Sequence, residues 1–160
     1  MTPISGSKSA NMEGASVSSA LDRLKDLTAK ISGYEVARKE NMRLLRELYG
    51  ALKIDEKVPE FSDLFDFKAI NLSGVSLSPD DLGTLREGKY VQIIAITYDA
   101  EAAVRNRNTS LGYFGRAEKI DPELKNRIVA FVLRWRFEKS FMTLEHYHGM
   151  IASLPKAADV

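Results

Sequence analysis

Arg127-Ile128-Val129-Ala130-Phe131-Val132-Leu133-Arg134-Trp135-Arg136-Phe137-Glu138-Lys139 is the stretch on which the fold turns. Its odd positions, Val129, Phe131, Leu133, Trp135 and Phe137, are all apolar. Its even positions pass from Ile128, Ala130 and Val132 to Arg134, Arg136 and Glu138. Period-two alternation is the mark of a strand, whose successive side chains point to opposite faces. A helix fits the same residues. Leu124, Ile128, Phe131, Val132 and Trp135 recur at i, i+4, i+7, i+8 and i+11 behind Asp121-Pro122-Glu123, an N-cap with proline at the first helical position. A helix would enclose Arg134 and Arg136 between apolar stripes, whereas a strand sets both on a solvated face. On that ground we expect one helical turn over 122–126 followed by a strand over 128–138.

Downstream, Thr143 is expected to cap a helix carrying Leu144, Tyr147, Ile151 and Leu154 on one face and ending at Pro155, with a tail over 156–160. Upstream, residues 108–116 place Gly112 and Gly115 around Tyr113-Phe114 and read as a loop or short edge strand, and the alanines of 99–107 favour a short helix. Residues 90–98, rich in β-branched and aromatic side chains, read as a strand buried on both faces. Ser78-Pro79-Asp80-Asp81 looks like a helix start, closed by Gly88. Residues 65–72 alternate imperfectly as a strand, and 54–63, with Asp55, Glu56, Glu60 and Asp63 around Pro59, read as a solvated acidic linker.

Residues 1–16 are rich in Ser, Gly and Ala and read as a disordered tail. Residues 17–53 form an amphipathic helical segment. Its stripe of Leu27, Ile31, Tyr34, Arg38, Asn41, Leu45, Leu48 and Leu52 alternates spacings of four and three, as in a coiled-coil seam. Either one long helix or a hairpin broken at Ser32-Gly33 satisfies the pattern, and Arg38 with Asn41 puts polar groups mid-seam. Together these elements specify an α+β fold: a 17–53 helical segment and a 54–155 domain. A small, mostly antiparallel sheet of 65–72, 90–98 and 128–138 is packed by the N-terminal helices and a C-terminal helix, with Trp135, Phe131 and Ile94 in the core.

The 160 residues include no cysteine, which removes disulfides, thiolate metal sites and cysteine nucleophiles. No secretory leader and no apolar run of about 20 residues is present, so the expected setting is cytoplasmic or otherwise intracellular. The net charge of +1 hides a dipolar chain: counting along it, 17–53 carries about +3, 54–101 about −6 and 105–139 about +5. Such zones can neutralise each other within the fold or across a contact between copies.

Sequence patterns for a phosphate-binding loop, a dinucleotide fold, a nucleophile elbow or a His-Glu-x-x-His zinc site are all missing. His146 and His148, two apart on an expected helix, lie about 200° apart, with one on the surface and one half-buried, so joint ligation is disfavoured and no metal or cofactor is expected. A catalytic carboxylate or histidine site is the weakest reading, and no catalytic residue is assigned. The basic zone is the stronger lead: Arg105, Arg107, Arg116, Arg134 and Arg136, near Tyr113 and Phe114, have the chemistry to bind a polyanion, either nucleic acid or an anionic membrane surface. The leading expectation is non-catalytic: a self-associating structural or adaptor subunit, of the class of small viral or phage coat and matrix proteins. It would form a homo-oligomer, with other protein subunits as further partners, through Leu27, Ile31, Tyr34, Leu45, Leu48 and Leu52.

Overall fold

The structure, a computed structural model, describes residues 5–98 and 106–155. Residues 1–4 of the expected 1–16 tail, residues 156–160, and residues 99–105 of the helix expected over 99–107 lie outside them, while Asn106 and Arg107 are in a strand and not a helix. The elements run α1 (Ser5–Ala51), β1 (Ala69–Ser73), β2 (Tyr90–Tyr98), β3 (Asn106–Arg116) and α2 (Pro122–Ala152). The chain divides into two compact units, Met1–Glu40 and Asn41–Val160, with the boundary inside α1.

The deciding stretch is helical, and the strand over 128–138 is overturned. Asp121 accepts hydrogen bonds from the backbone N–H groups of Glu123 and Leu124 at 3.1 and 3.3 Å, and Pro122 occupies the first turn. With the start fixed in this way, Ile128, Phe131, Val132 and Trp135 fall on one face and are buried together. The objection to a helix was the two arginines, and it fails because both find acceptors at its flanks, as described below. α2 then continues through Thr143, whose hydroxyl donates to the Lys139 carbonyl at 2.8 Å. Thr143 is therefore an interior residue, not the cap of a separate helix.

The α+β fold holds: a three-stranded antiparallel sheet in the order β1-β2-β3, with a long N-terminal and a C-terminal helix. Its third strand is β3, the segment read as a loop or short edge strand. On β2 burial alternates: Val91, Ile93 and Ala95 are buried, while Gln92, Ile94 and Ile96 are only half-buried on the other face. Neither the two-sided burial of β2 nor a core position for Ile94 is realised. An unbroken apolar run does not reveal which parity faces inward.

Two register shifts between β2 and β3 each insert an extra residue on the β3 side, and at the second Gly115 takes φ 87°. Gly74 (φ 83°) is required by close approach, since a Cβ there would lie 2.6 Å from the Tyr90 carbonyl oxygen.

The 54–66 segment is not a solvated linker. Two 3₁₀ turns, Ile54–Glu56 and Phe61–Asp66, face their carboxylates outward and bury Ile54, Val58 and Leu64. No helix starts at Ser78. The Ser76 hydroxyl donates to Asp81 at 2.5 Å and accepts from the Ser78 N–H at 3.2 Å, closing a compact turn.

α1 is continuous through Ser32-Gly33, so the hairpin is not formed, and it starts at Ser5 rather than near Ala20. In the second unit Leu45, Tyr49 and Leu52 join the core. The Tyr49 hydroxyl donates to the Val58 carbonyl. Burial raises the Tyr49 phenol above its ordinary range, and Asp55, Glu60 and Asp63 push it the same way.

Trp135 is 2% exposed, as its core assignment requires, and its indole N–H donates to the Leu64 carbonyl at 2.9 Å. Trp135→Ala is expected to cost about 3–5 kcal/mol in urea unfolding. Trp135→Phe keeps a ring but orphans Leu64 O and is expected to cost about 1–3 kcal/mol. The raised Tyr49 pKa contributes stability that is complete below the unfolded value of about 10 and is lost as pH rises through the folded one. Alkaline unfolding that is shallower in Tyr49→Phe than in the parent chain is the expected result.

Candidate functional surfaces

The five arginines expected to form one basic surface have separate placements. Arg105 lies outside the described residues. Arg107 and Arg116 sit near opposite ends of β3, nine residues or about 30 Å apart at about 3.3 Å per residue. Arg116 pairs with Glu118 at 2.8 Å. The Glu118 carboxyl is held below its usual range first by its own backbone N–H, then by the Gly88 N–H, with Arg116 adding to the effect.

Arg134 and Arg136 are on α2 and turn back to the fold instead of outward from a strand. Arg134 donates to the Asn41 side-chain oxygen at 3.1 Å, and the Asn41 amide returns a bond to the Arg134 carbonyl at 2.9 Å. Arg136 donates twice to the Ile70 carbonyl, at 3.2 and 3.1 Å, and once to Asn71 Oδ1 at 3.1 Å. Lys139 donates to the Phe65 carbonyl at 2.5 Å. These cations satisfy main-chain acceptors of the 65–71 segment, including the outer edge of β1.

The expected self-association seam divides. Leu45 and Leu52 are in the core of the second unit and Leu48 is half-buried against it, so these three are not a free surface. Asn41, mid-seam, is buried on Arg134. Leu27 and Tyr34 belong to the first unit and are exposed. With Leu27 come residues the seam omitted: Val17, Leu21, Leu24 and Leu27 are 63, 53, 60 and 58% exposed. A second stripe, Leu144, Tyr147, Ile151 and Leu154, is exposed along the last turns of α2.

One surface was not foreseen at all. The sheet face away from the core carries Tyr90, Gln92, Ile94, Ile96 and Tyr98 from β2. By register it adds Ser73, Asn71 and Ala69 from β1, and Arg116, Tyr113, Ser110 and Asn108 from β3. Tyr90 and Tyr113 are in contact, ring centroids 5.7 Å apart, and the Lys68 ammonium stands 5.9 Å from the Tyr98 ring. The three tyrosines are 53, 60 and 53% exposed for Tyr90, Tyr113 and Tyr98. Only Tyr113 belonged to the expected basic zone, because strand register, not sequence proximity, gathers the rest.

His146 and His148 are both exposed on α2, so neither is half-buried as expected. Among the described residues no group of three or more His, Asp or Glu side chains is placed to hold a metal ion. No helix among them is long and apolar enough to cross a membrane. An open groove of about 630 Å³ runs between α2 and β1, lined by Lys68, Asn71, Trp135, Arg136, Lys139 and Thr143 among others. Of its cations, Arg136 and Lys139 are already committed to the carbonyls above.

No protein-family model, no curated protein and no solved structure matches the chain.

Because Arg134 and Arg136 hold the fold, reversing their charge is not a surface change. Arg136→Ala is expected to cost about 1–3 kcal/mol, the penalty for orphaning a partly buried acceptor, read from the urea midpoint. Arg134→Glu with Arg136→Glu is expected to cost more, with loss of near-ultraviolet dichroism around Trp135. A double variant as stable as the parent chain would refute the role given to these side chains.

Proposed function

We propose that the protein is a non-catalytic, self-associating structural or adaptor subunit, in which the N-terminal part of α1 pairs with the same helix of a second copy. The observation that carries this is the exposed stripe of Val17, Leu21, Leu24 and Leu27 in a unit consisting of a single helix. In proteins most of a helix's stability comes from burying an amphipathic face. Within its own unit this face has no second element to pack on.

Heptad spacing selects a helix as occupant and charge selects the orientation. With Val17 and Leu24 at a positions, Ala20, Leu27 and Tyr34 fall at d, and Leu21 flanks the seam at e. Lys30 is then at g and Glu35 at the following e, so in a parallel pair Lys30 of each copy faces Glu35 of the other. An antiparallel pair would set the g residues Arg23 and Lys30 against each other. Each leucine contributes about 1.5–3 kcal/mol on full burial, while an exposed ion pair contributes about 1 kcal/mol or less. The apolar seam therefore supplies the affinity and the charges the orientation. The α2 stripe of Leu144, Tyr147, Ile151 and Leu154 has the same three-four spacing and supports association beyond a dimer. A chain without cysteine supports an intracellular setting.

Light scattering on a sizing column is expected to give at least twice the single-chain mass at micromolar concentration. Leu24→Glu with Leu27→Glu should lower that mass while leaving the Trp135 emission, a reporter on the second unit, unchanged. A parent chain that elutes as a monomer would overturn the proposal.

A further inference from the structure

We infer that the open face of the sheet is a binding platform for single-stranded nucleic acid, with Tyr90, Tyr113 and Tyr98 as stacking rings and Arg116 and Lys68 as phosphate contacts. This surface is separate from the helix stripe used for association.

Three observations converge. First, the tyrosines are exposed on one face of a sheet, where a rigid backbone presents their rings. Tyr90 and Tyr113 form a contacting pair at one end, and Tyr98 lies eight residues along β2, about 26 Å away at about 3.3 Å per residue. Base–aromatic stacking is the main sequence-tolerant contribution to single-strand binding, since every base has a π face.

Second, the charge of the sheet has one sign. The chain holds 22 Asp and Glu residues, yet β1, β2 and β3 contain none. Cations stand at the rim: Arg116 opposite Tyr90 in the register and Lys68 over Tyr98. Stacking rings bordered by cations, with no carboxylate to repel phosphate, complement a polyanion that carries exposed bases. Third, the positions between the rings include, beside Ile94 and Ile96, the polar Gln92, Ser110, Asn108 and Asn71, whose amides and hydroxyl are suited to base edges. A duplex keeps its bases stacked on each other and offers nothing to the tyrosines, so the ligand is single-stranded.

Arg116 is shared with Glu118, which partly neutralises it. Glu118→Gln removes that competing charge and is expected to tighten binding.

The test is fluorescence anisotropy of a labelled, mixed-sequence 20-nucleotide single strand, as DNA and as RNA, titrated with the full chain at about 50 and 200 mM salt. Two phosphate contacts on a single strand predict a slope near about −1.4, an affinity loss of about 7-fold over that range. Tyr113→Ala and Tyr90→Ala are each expected to weaken binding at least about 5-fold, the lower end of a lost stacking contact. Tyr113→Phe should retain it, because the ring remains. Far-ultraviolet dichroism and Trp135 emission verify that the variants fold. Absence of binding at 50 mM salt overturns the inference. So does an affinity unchanged by both alanine variants, or equal affinity for the matching duplex, which would leave the face to a protein partner or to non-specific charge.

Discussion

One helix face replaces a missing strand. Leu64 and Phe65 lie in a 3₁₀ turn and Ile70 on the edge strand β1, and leaving their carbonyls buried without partners would cost more than the packing returns. α2 supplies the donors from its side chains. The Trp135 indole bonds Leu64 O, Lys139 bonds Phe65 O, and Arg136 bonds Ile70 O. Three side chains within five residues thus tie the segment that leads into β1. Arg134, in the same turn, ties α2 to Asn41. The aromatic rings follow the same path: Tyr49 meets Phe61, Phe61 meets Phe65, and Phe65 stacks on Trp135 at 6.4 Å between centroids. No buried side-chain polar atom among the described residues is left without a partner. The position of β1, and with it the sheet, depends on these bonds.

This dependence explains why the strand expected over 128–138 is a helix. Residues 127–139 satisfy both periodicities, and a strand follows only if arginine needs water on its own face. A long guanidinium stem can lie along apolar surface and spend its charge on a carbonyl several ångströms away. The acceptors, Ile70 and Asn41, are 66 and 93 residues distant, and nothing local announces them. The local signal was sound: Asp121-Pro122 caps α2 as its chemistry requires. The fold class survived because the α+β balance needed only one strand from this half of the chain, and β3 provides it.

The N-terminal stripe shows a different limit. Spacings of three and four describe any helix face that is buried, whether in a coiled coil or against its own domain. Along α1 both environments occur: Leu45 and Leu52 enter the core, while Val17, Leu24 and Leu27 remain exposed. Asn41, a defect in a coiled-coil seam, is a matched partner for Arg134 in the domain. The sheet face was illegible for a related reason. Its three tyrosines come from two strands, and only the β2–β3 register, with its two bulges, sets Tyr113 beside Tyr90.

The two proposed surfaces reinforce each other without sharing residues. Two rim cations and three rings would make a modest site for a single strand, one sensitive to salt. Pairing through α1 would give each assembly two such faces. A strand long enough to reach both would then bind the second at an effective concentration set by the tether, gaining affinity with no new contact. The gain requires the faces to be independent of the pairing seam; the two share no residue, since the exposed seam residues all precede Glu40 and every strand residue follows Asn41. An acidic sheet would defeat this arrangement by repelling the ligand at both sites. Restriction of the carboxylates of 54–98 to the turns, away from the strands, is therefore the feature that would let one near-neutral chain serve both proposed surfaces.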